Sequence, residues 1–246
     1  MRRRSALAGI AAAFLGGCSK LAKTGPVSSL LDSVDDWNRN FHNLLGRRTS
    51  LAPEFSKADI SPEFRSNGTA MPAGLEYATQ LAKNFADWRL EVTGLFENQL
   101  ALSLAEIEGL PQRTQITRHD CVEGWSAIGE WTGPQLKHIL DMAGLKPEAR
   151  FVVFHCADLY GTQTYYESVD LVDAFHPQTI VAHMLNGEKL PVKNGAPLRM
   201  RIERQLGYKH AKYLNGIEAV AGLDDIRGGK GGYWEDTTGY QWYAGI

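Results

Sequence analysis

Apolar residues change their spacing along the chain, and each spacing predicts a different element. Between residues 75 and 85 they recur at every third or fourth position, which is typical of a helix with one buried face. Between residues 88 and 93, Trp88, Leu90 and Val92 alternate with polar neighbours, and this period of two indicates a strand. We therefore expect a helix that is followed closely by a strand.

Capping and turn-forming residues predict two further helices. Ser103 suits the N-cap of a short helix that closes near Gly109. Pro134 suits the first turn of another helix, which should stop near Gly144. Residues 52–74 are rich in Pro, Ser, Asn and Gly without a clear period, so we expect irregular structure there.

Four more segments indicate strands, at residues 114–119, 151–156, 198–202 and 217–220. The segment 151–156 is apolar throughout, as in a strand that is buried on both faces. Asn186 and Gly187 lie between two apolar segments and predict a tight hairpin. Because helices interrupt the strands irregularly, the sequence predicts an α+β domain with mixed or mostly antiparallel sheets.

The composition is that of an ordinary globular protein. The chain has 246 residues, of which 43% are hydrophobic and 22% charged, enough for one sizeable core. Its formal net charge of -2 excludes a strongly cationic protein, and nucleic acid is therefore not an expected partner.

The N-terminus has the order of features found in an export signal. Three arginines at positions 2–4 precede an apolar run, residues 6–15, that is too short to span a bilayer. The run ends in Leu15-Gly16-Gly17-Cys18, which resembles a bacterial lipobox. The alternatives are an N-terminal membrane helix or a chance cysteine, and the arginines suit either twin-arginine or ordinary export.

This pattern predicts three parts of the chain. Residues 1–17 would be a signal peptide, and Cys18 would become the lipid-modified first residue of the mature protein. Residues 18–50 would form a tether, and residues 51–246 the folded domain. The expected location is the periplasmic face of a membrane, where the lipid on Cys18 anchors the protein.

Two cysteines, Cys121 and Cys156, remain in the expected mature domain. In an exported protein such a pair could form a disulfide. Cys121 follows a predicted strand and lies in a polar, partly aromatic loop, where a thiol would be accessible. Cys156 ends an apolar strand and could simply belong to the core.

The loop at Cys121 resembles a family motif. Cys121-Val-Glu-Gly-Trp-Ser126, followed by Trp131-Thr-Gly133, is similar to the cysteine loop of the sulfite-oxidase superfamily, and most of all to its small bacterial branch of protein-methionine-sulfoxide reductase catalytic subunits. Further segments resemble that family in the same order: residues 64–67, 88–95, 175–179, 185–188, 194–199 and 207–212.

The resemblance implies a molybdopterin-binding domain in which the Cys121 thiolate is the protein ligand of molybdenum, the catalytic metal. A soft thiolate suits such a metal, and coordination would keep the sulfur ionised. Cations would hold the phosphate of the cofactor by charge-assisted hydrogen bonds. The implied cofactor-binding residues are Arg65, Ser66, Asn67, Cys121, Cys156, Asn194, Arg199, His210, Ala211 and Lys212.

The implied activity is oxygen-atom transfer on a sulfur-containing substrate, either sulfoxide reduction or oxidation of a sulfite-type anion. The sequence contains no Cys-x-x-Cys-His motif for haem attachment, so electrons should pass to or from a separate protein, which we expect to be a haem protein. Family sulfite oxidases continue into an immunoglobulin-like dimerisation domain. This chain ends at Ile246 without one, which favours the smaller branch and a monomer.

Several of these residues also have simpler interpretations. Asn194 and Gly195 suit a turn, the segment of Lys209, His210 and Lys212 suits a solvated face, and His176 suits a structural histidine. Glycine-rich residues 228–232 lack the strand-to-helix context of a nucleotide loop. The aromatic residues near the C-terminus are expected to cover the core: Tyr233, Trp234, Tyr240, Trp242 and Tyr243.

Two other functions compete with metal chemistry. Cys121 could be the nucleophile of a thiol hydrolase with His119 or another histidine as base. His119 and Cys121 are two residues apart on a strand and could share a face. Alternatively, the chain could be a lipoprotein that keeps the fold and binds without catalysis.

Overall fold

The computed structural model describes residues 50–246, so the predicted signal peptide, Cys18 and nearly all of the tether lie outside the described residues. Within them there are eleven strands, five α-helices and three short 3-10 helices. No helix among these residues has the length and apolar character needed to cross a bilayer.

The strands are β1 (Arg89–Gly94), β2 (Leu100–Ser103), β3 (Gln112–Asp120), β4 (Ser126–Pro134), β5 (Phe151–Tyr160), β6 (Gln163–Asp170), β7 (Thr179–Ala182), β8 (Met184–Leu185), β9 (Glu188–Lys189), β10 (Arg199–Ile202) and β11 (Leu214–Val220). The α-helices are α1 (Leu75–Ala82), α2 (Leu104–Gly109), α3 (Leu136–Ala143), α4 (Leu171–Ala174) and α5 (Tyr233–Thr238). The 3-10 helices are Lys57–Asp59, Val192–Asn194 and Gly207–Lys209.

The largest sheet has the strand order β2-β1-β11-β5-β6. Only the pair β1 and β11 is parallel in this sheet, and Val92 lies opposite Ile217 in its register. The second sheet has the order β3-β4-β8-β9, and β7 pairs with β10 in a third. Both smaller sheets are antiparallel. The predicted α+β fold with mixed sheets is therefore confirmed.

The main core lies between the largest sheet and the helices. On β1, Leu90 and Val92 point into it while their neighbours face outward, as the alternating pattern predicts. Helix α3 buries Leu136, Ile139, Leu140 and Ala143, which follow the helical spacing of three and four. A smaller cluster around Phe64 and Trp131 packs separately.

Local signals were reliable where the chain itself supplies the stabilising contact. Ser103 caps α2 in a capping box with Glu106. Asn186 and Gly187, with φ of 54° and 79°, form the predicted hairpin between β8 and β9.

The expectation that Pro134 opens a helix was wrong. Pro134 is the last residue of β4 and lies opposite Gln112, while Gln135 is the N-cap and α3 begins at Leu136. A proline at the end of a strand does not break an interior hydrogen bond, so the sheet tolerates it.

Strand β4 was not expected from the sequence, because its buried face carries small residues. Ala127, Gly129, Trp131 and Gly133 point inward, whereas Ile128 is only partly covered. A Cβ atom at Gly133 would overlap the backbone of β7, so close packing requires glycine there. Hydrophobic alternation is therefore weak in this strand, although its burial alternates from Ser126 to Gly133.

The packing of α3 predicts a large effect of truncation. Ile139 is 0% exposed, whereas Met142 on the same helix is 45% exposed. We expect Ile139→Ala to lower the free energy of unfolding by about 2–5 kcal/mol through lost burial and a cavity. Met142→Ala is the matched control and should change it by less than about 1 kcal/mol. Urea unfolding of both variants measures the difference, and equal effects would contradict this packing.

Candidate active site

The loop between β3 and β4 presents the Cys121 thiol at the edge of a pocket. Cys121 N–H donates to the carbonyl of Trp125 at 2.9 Å, and Gly124 N–H donates to the carbonyl of Cys121 at 3.0 Å. Gly124 has a φ of 84°, a left-handed conformation that glycine adopts readily. These bonds close a tight turn, and its first residue is Cys121.

The pocket encloses about 690 Å³, counting the open space at its mouth. Five parts of the chain converge on it: the loop before α1, the Cys121 loop, the β5–β6 hairpin, the segment 207–212 and the C-terminal region. The lining residues are Asn67, Gly68, Cys121, Val122, Glu123, Asp158, Tyr160, Tyr165, Gly207, Tyr208, His210, Lys212, Trp234 and Tyr240.

Lys212 joins two loops at the wall of the pocket. Its Nζ donates to the carbonyl oxygens of Asn67 at 2.7 Å, Thr69 at 2.5 Å and Lys193 at 3.1 Å. Burial, and secondarily the charge of Arg199, lowers the pKa of Lys212 to about 7. The charge of Asp158 opposes this shift in part, although Asp158 forms no ion pair with Lys212.

Arg199 lies behind the pocket wall. Its guanidinium donates to the carbonyl oxygens of Asn194 at 2.9 Å and His210 at 3.3 Å, and it stacks 5.0 Å from the ring centre of Trp131. Burial, then the nearby Arg201, lowers the pKa of Arg199 to about 9. Within residues 50–246, neither Arg199 nor Lys212 has a carboxylate within ion-pair distance, whereas Arg201 is paired with Glu203.

Several buried polar atoms near these cations lack a protein partner. Asn194 Nδ2, Arg199 Nε and Asp158 Oδ1 make no hydrogen bond with the described residues. An unpaired buried polar group costs roughly 1–3 kcal/mol, so such atoms indicate a ligand. Uncompensated cations, an amide donor and a carboxylate acceptor fit a polar, planar group that ends in a phosphate.

Glycines allow the loops to approach this cluster. Gly195 has a φ of 113°, and a Cβ atom there would lie 2.9 Å from Lys212 Cβ and 3.2 Å from Arg199 Cβ. A larger residue would push the loop away from both cations. Asn194 and Gly195 therefore form a turn, as their sequence suggests, and this turn packs against Lys212 and Arg199.

His119 is poorly placed to act as a base for Cys121. Its Nδ1 accepts a hydrogen bond from Arg201 at 2.9 Å, which leaves the proton of the neutral ring on Nε2. Burial is the main cause that lowers the pKa of His119 far below its usual value, and burial raises the pKa of the Cys121 thiol. Both directions oppose an activated thiol nucleophile, and they disfavour the hydrolase hypothesis.

The structure brings many of the predicted site residues together. Asn67, Cys121, His210 and Lys212 line the pocket, and Asn194 and Arg199 lie directly behind it. Ser66 donates to the Lys193 carbonyl on the same wall. Ala211 is buried, and its carbonyl accepts from Met200 N–H at 2.8 Å. Arg65 is exposed, with its guanidinium 5.8 Å from the ring centre of Trp125. Their roles toward a cofactor stay predictions.

Cys156 is not among the residues that line the Cys121 pocket. It is buried in the main core and borders a separate cavity beside Tyr77 and Trp88, but its thiol is close enough to Asp158 and Lys212 of the Cys121 pocket to interact with them electrostatically. Both thiols are free, so the disulfide alternative is wrong for this structure. A contact of Cys156 with the cofactor stays a prediction.

Two aromatic residues near the C-terminus do more than cover the core. Trp234 and Tyr240 line the pocket, where the sequence led us to expect only a cover. Helix α5 folds back over the β5–β6 hairpin and places Trp234 5.3 Å from the ring of Tyr160. The aromatic residues in the sequence indicated burial. Which of them line the pocket depends on the long-range packing of α5, which the sequence did not show.

In the glycine-rich segment 228–232, two backbone N–H groups are already bonded to a side chain of the protein. Gly228 and Lys230 N–H groups both donate to the Asp236 carboxylate at 3.0 Å. The amides that could bind an external phosphate are thus already paired, in agreement with the expectation that this is no nucleotide loop.

Comparisons with known proteins agree with the geometry. The family model described as the oxidoreductase molybdopterin binding domain matches residues 77–224. A putative protein-methionine-sulfoxide reductase subunit YedZ1 of Azospira oryzae is 34% identical over 100% of this chain and 86% of the relative. The protein-methionine-sulfoxide reductase catalytic subunit MsrP of Campylobacter jejuni is 32% identical over 57% of this chain and 52% of the relative, so the match spans about half of that protein.

A solved structure shares the fold. The sulfane dehydrogenase SoxCD of Paracoccus pantotrophus superposes with a TM-score of 0.55 and 21% identity, over 63% of this chain and 42% of that one. At this identity the likeness concerns the fold alone.

The environment of Lys212 predicts a pH-dependent stability of the protein without cofactor. Its pKa is lowered from 10.5 to about 7 in the folded chain, so between these values the unfolded chain binds more protons. Stability should therefore rise with pH in that window, with a contribution from Lys212 of about 1 kcal/mol per pH unit. Lys212→Met should remove this part of the slope in urea unfolding at a series of pH values.

Lys193→Met is the matched control, because Lys193 lies on the adjoining loop with its side chain 52% exposed. It should leave the slope as in the wild type. A slope that Lys212→Met does not change would show that the ammonium group is well solvated in the folded protein.

Proposed function

The chain belongs to the oxidoreductase molybdopterin-binding domain family, and on that premise we propose that it reduces sulfoxides. Its resemblance to the sulfite-oxidase superfamily is confirmed, and the protein is a molybdopterin-dependent oxidoreductase. The observation that carries the proposal is the pocket itself, which combines the Cys121 thiol, unpaired cations and an aromatic wall.

The residues of the pocket fit the cofactor. Cys121 Sγ would bind the metal, and coordination would ionise a thiol whose pKa burial otherwise raises. Arg199 and Lys212 would hold the phosphate, and Asn194 and Asp158 would meet the polar edges of the pterin. When bound, the cofactor supplies two-electron exchange of an oxygen atom with sulfur.

The remaining pocket wall favours an uncharged sulfur substrate. Tyr160, Trp234 and Tyr240 form an aromatic surface, and sulfur contacts aromatic rings favourably. Glu123 and Asp158 also line the pocket, and carboxylates there would repel a sulfite-type anion. We therefore favour a sulfoxide, with the sulfoxide of a methionine side chain as the substrate that the names of the relatives support.

Sulfoxide reduction needs two electrons and two protons for each turnover. The S–O bond breaks, the sulfur becomes a thioether, and the oxygen leaves as water. We propose that a separate redox protein, of the haem class, supplies the electrons. Oxidation of a sulfite-type anion is the second candidate, and electrons would then flow in the opposite direction.

Metal content and activity test the proposal together. Protein matured in a host that makes molybdopterin should contain close to one molybdenum per chain by elemental analysis. It should reduce methionine sulfoxide with a viologen dye as electron donor. Cys121→Ser should keep the melting temperature within a few degrees and lose at least about 100-fold in kcat, because the alcohol is a poor ligand.

Protein from a host without molybdopterin synthesis is the control and should be inactive. Turnover of sulfite but not of methionine sulfoxide would support the second candidate. Full activity of Cys121→Ser or of metal-free protein would contradict the proposal.

We also propose that the protein is exported and anchored by a lipid on Cys18 at the periplasmic face of a membrane. The support is the order of basic, apolar and small residues in positions 2–18. Mass spectrometry of the N-terminal peptide from membranes should show an acylated Cys18. Cys18→Ala should release the protein into the soluble fraction, and an unmodified residue in the membrane-bound protein would contradict the anchor.

A further inference from the structure

A buried ionic cluster lies beside the pocket and has no part in the contacts described so far. Lys209 Nζ is 2.5 Å from Glu167 Oε2 and 2.7 Å from Glu235 Oε1. The three side chains are at most 1% exposed. They come from three elements, β6, the 3-10 helix Gly207–Lys209 and α5, so tertiary packing brings them together.

The cluster has two acids and one base. If both carboxyl groups were ionised, a net negative charge would lie in the dry interior, which is costly. The Oε2 atoms of Glu167 and Glu235 both lie close to Gly232. A Cβ atom on this glycine would be 2.6 Å from the first oxygen and 2.1 Å from the second. Burial raises the pKa of Glu167 well above its usual value, although Lys209 opposes this effect. One proton shared by the two acids balances the charge.

The hydroxyl of Tyr165 gives an independent argument for this proton. Its oxygen lies 2.6 Å from the carbonyl oxygen of Tyr208 and 3.2 Å from Glu167 Oε1. A phenol has one proton, and the carbonyl can only accept. Tyr165 is placed as the donor to both oxygens, and its one proton serves the shorter bond best. A proton on Glu167 would let the carboxyl group donate in the longer contact instead.

Tyr165 connects the cluster to the reaction site. It lines the same pocket as Cys121, His210 and Lys212, whereas Glu167, Lys209 and Glu235 do not. The Cys156 thiol on β5 also interacts electrostatically with Glu167, and so does Tyr166, whose side chain points to the opposite face of β6. Among the described residues that line the pocket, Tyr165 is the one whose hydroxyl contacts the store of protons.

We propose that Glu167, Lys209 and Glu235 store a proton and that Tyr165 delivers it to the oxygen that leaves the substrate. This inference rests on the proposed sulfoxide reduction. The Tyr165 hydroxyl first turns from the Tyr208 carbonyl to the departing oxygen. The Tyr165 O–H bond then breaks as a new O–H bond forms on that oxygen, and the proton of Glu167 moves to Tyr165 Oη. The second proton of the product water comes from solvent in the open pocket, and the redox partner supplies both electrons.

Lys209 explains why the store can be emptied and refilled. After transfer, Glu167 and Glu235 are both ionised, and the ammonium group lies within 2.7 Å of an oxygen of each. The resulting excess charge remains costly, so the cluster takes a proton back before the next turnover. In this scheme Tyr165 touches the substrate, and the three ionic residues act through it.

Infrared spectroscopy of the full chain tests the store without reference to activity. With isotope-labelled glutamate at neutral pH, we expect the carbonyl stretch of a protonated carboxyl group, and this band should be absent from Glu167→Gln or Glu235→Gln. Tyr165→Phe should shift the band, because a hydrogen bond is lost. Tyr166→Phe is the matched control: its hydroxyl bonds Asp236 outside the pocket, and it should leave the band in place.

Kinetics of the cofactor-loaded enzyme test delivery. Tyr165→Phe and Glu167→Gln should lower kcat for methionine sulfoxide by about 100-fold with little change in KM, and the loss should grow as pH rises. Tyr166→Phe should keep the wild-type kcat and pH profile. Melting temperatures near that of the wild type establish that each variant is folded.

The outcomes separate the two proposals. Absence of the carboxyl band in the wild type would overturn the proton store, and an unchanged kcat in Tyr165→Phe would overturn delivery by Tyr165. Sulfoxide reduction stands in both cases. A wild-type enzyme that has the band but does not reduce sulfoxides would overturn the delivery step together with the proposed function.

Discussion

The site depends on buried positive charge that the protein does not neutralise by itself. Arg199 and Lys212 bond to carbonyl oxygens, which satisfy their donors in part but do not cancel their charge. Burial makes the charged form of both groups less stable and so lowers the pKa of Arg199 and of Lys212. Such an arrangement persists because the rest of the fold is stable enough to carry it, and it prepares the pocket for an anionic group.

The same design separates two regions of different charge. On the phosphate-binding side, Arg199 and Lys212 have no carboxylate within ion-pair distance among residues 50–246, whereas the Lys209 cluster has two acids for one base. The segment 207–212 contributes to both, because Lys209 points into the acidic cluster and Lys212 into the wall of the pocket. A short segment with a 3-10 turn thus connects cofactor binding with the supply of protons.

Short motifs that resemble a known family predicted much of the chemistry. From that resemblance, the Cys121 loop and the segments with Asn67, Asn194 and Lys212 were expected to share one site, and they do surround the same pocket. The resemblance was needed because these segments are far apart in the chain, and Asn194-Gly195 alone suits an ordinary turn. Cys156 was harder to interpret, since an apolar strand end fits a core position equally well.

By itself, the sequence determined the α+β class, the capped helix α2, the hairpin at Asn186 and Gly187, and the cysteine that faces the pocket, because each has a signal within a few residues. Tertiary structure alone decided the rest. Strand β4 buries Ala127 and Gly129, whose small side chains carry little hydrophobic signal, and Trp234 and Tyr240 reach the pocket only because α5 folds back. Lys209 and Glu235, the partners of Glu167, lie 42 and 68 residues further along the chain. Glutamate and lysine are ordinary surface residues, and the proposed proton store exists only because the fold buries these three side chains together.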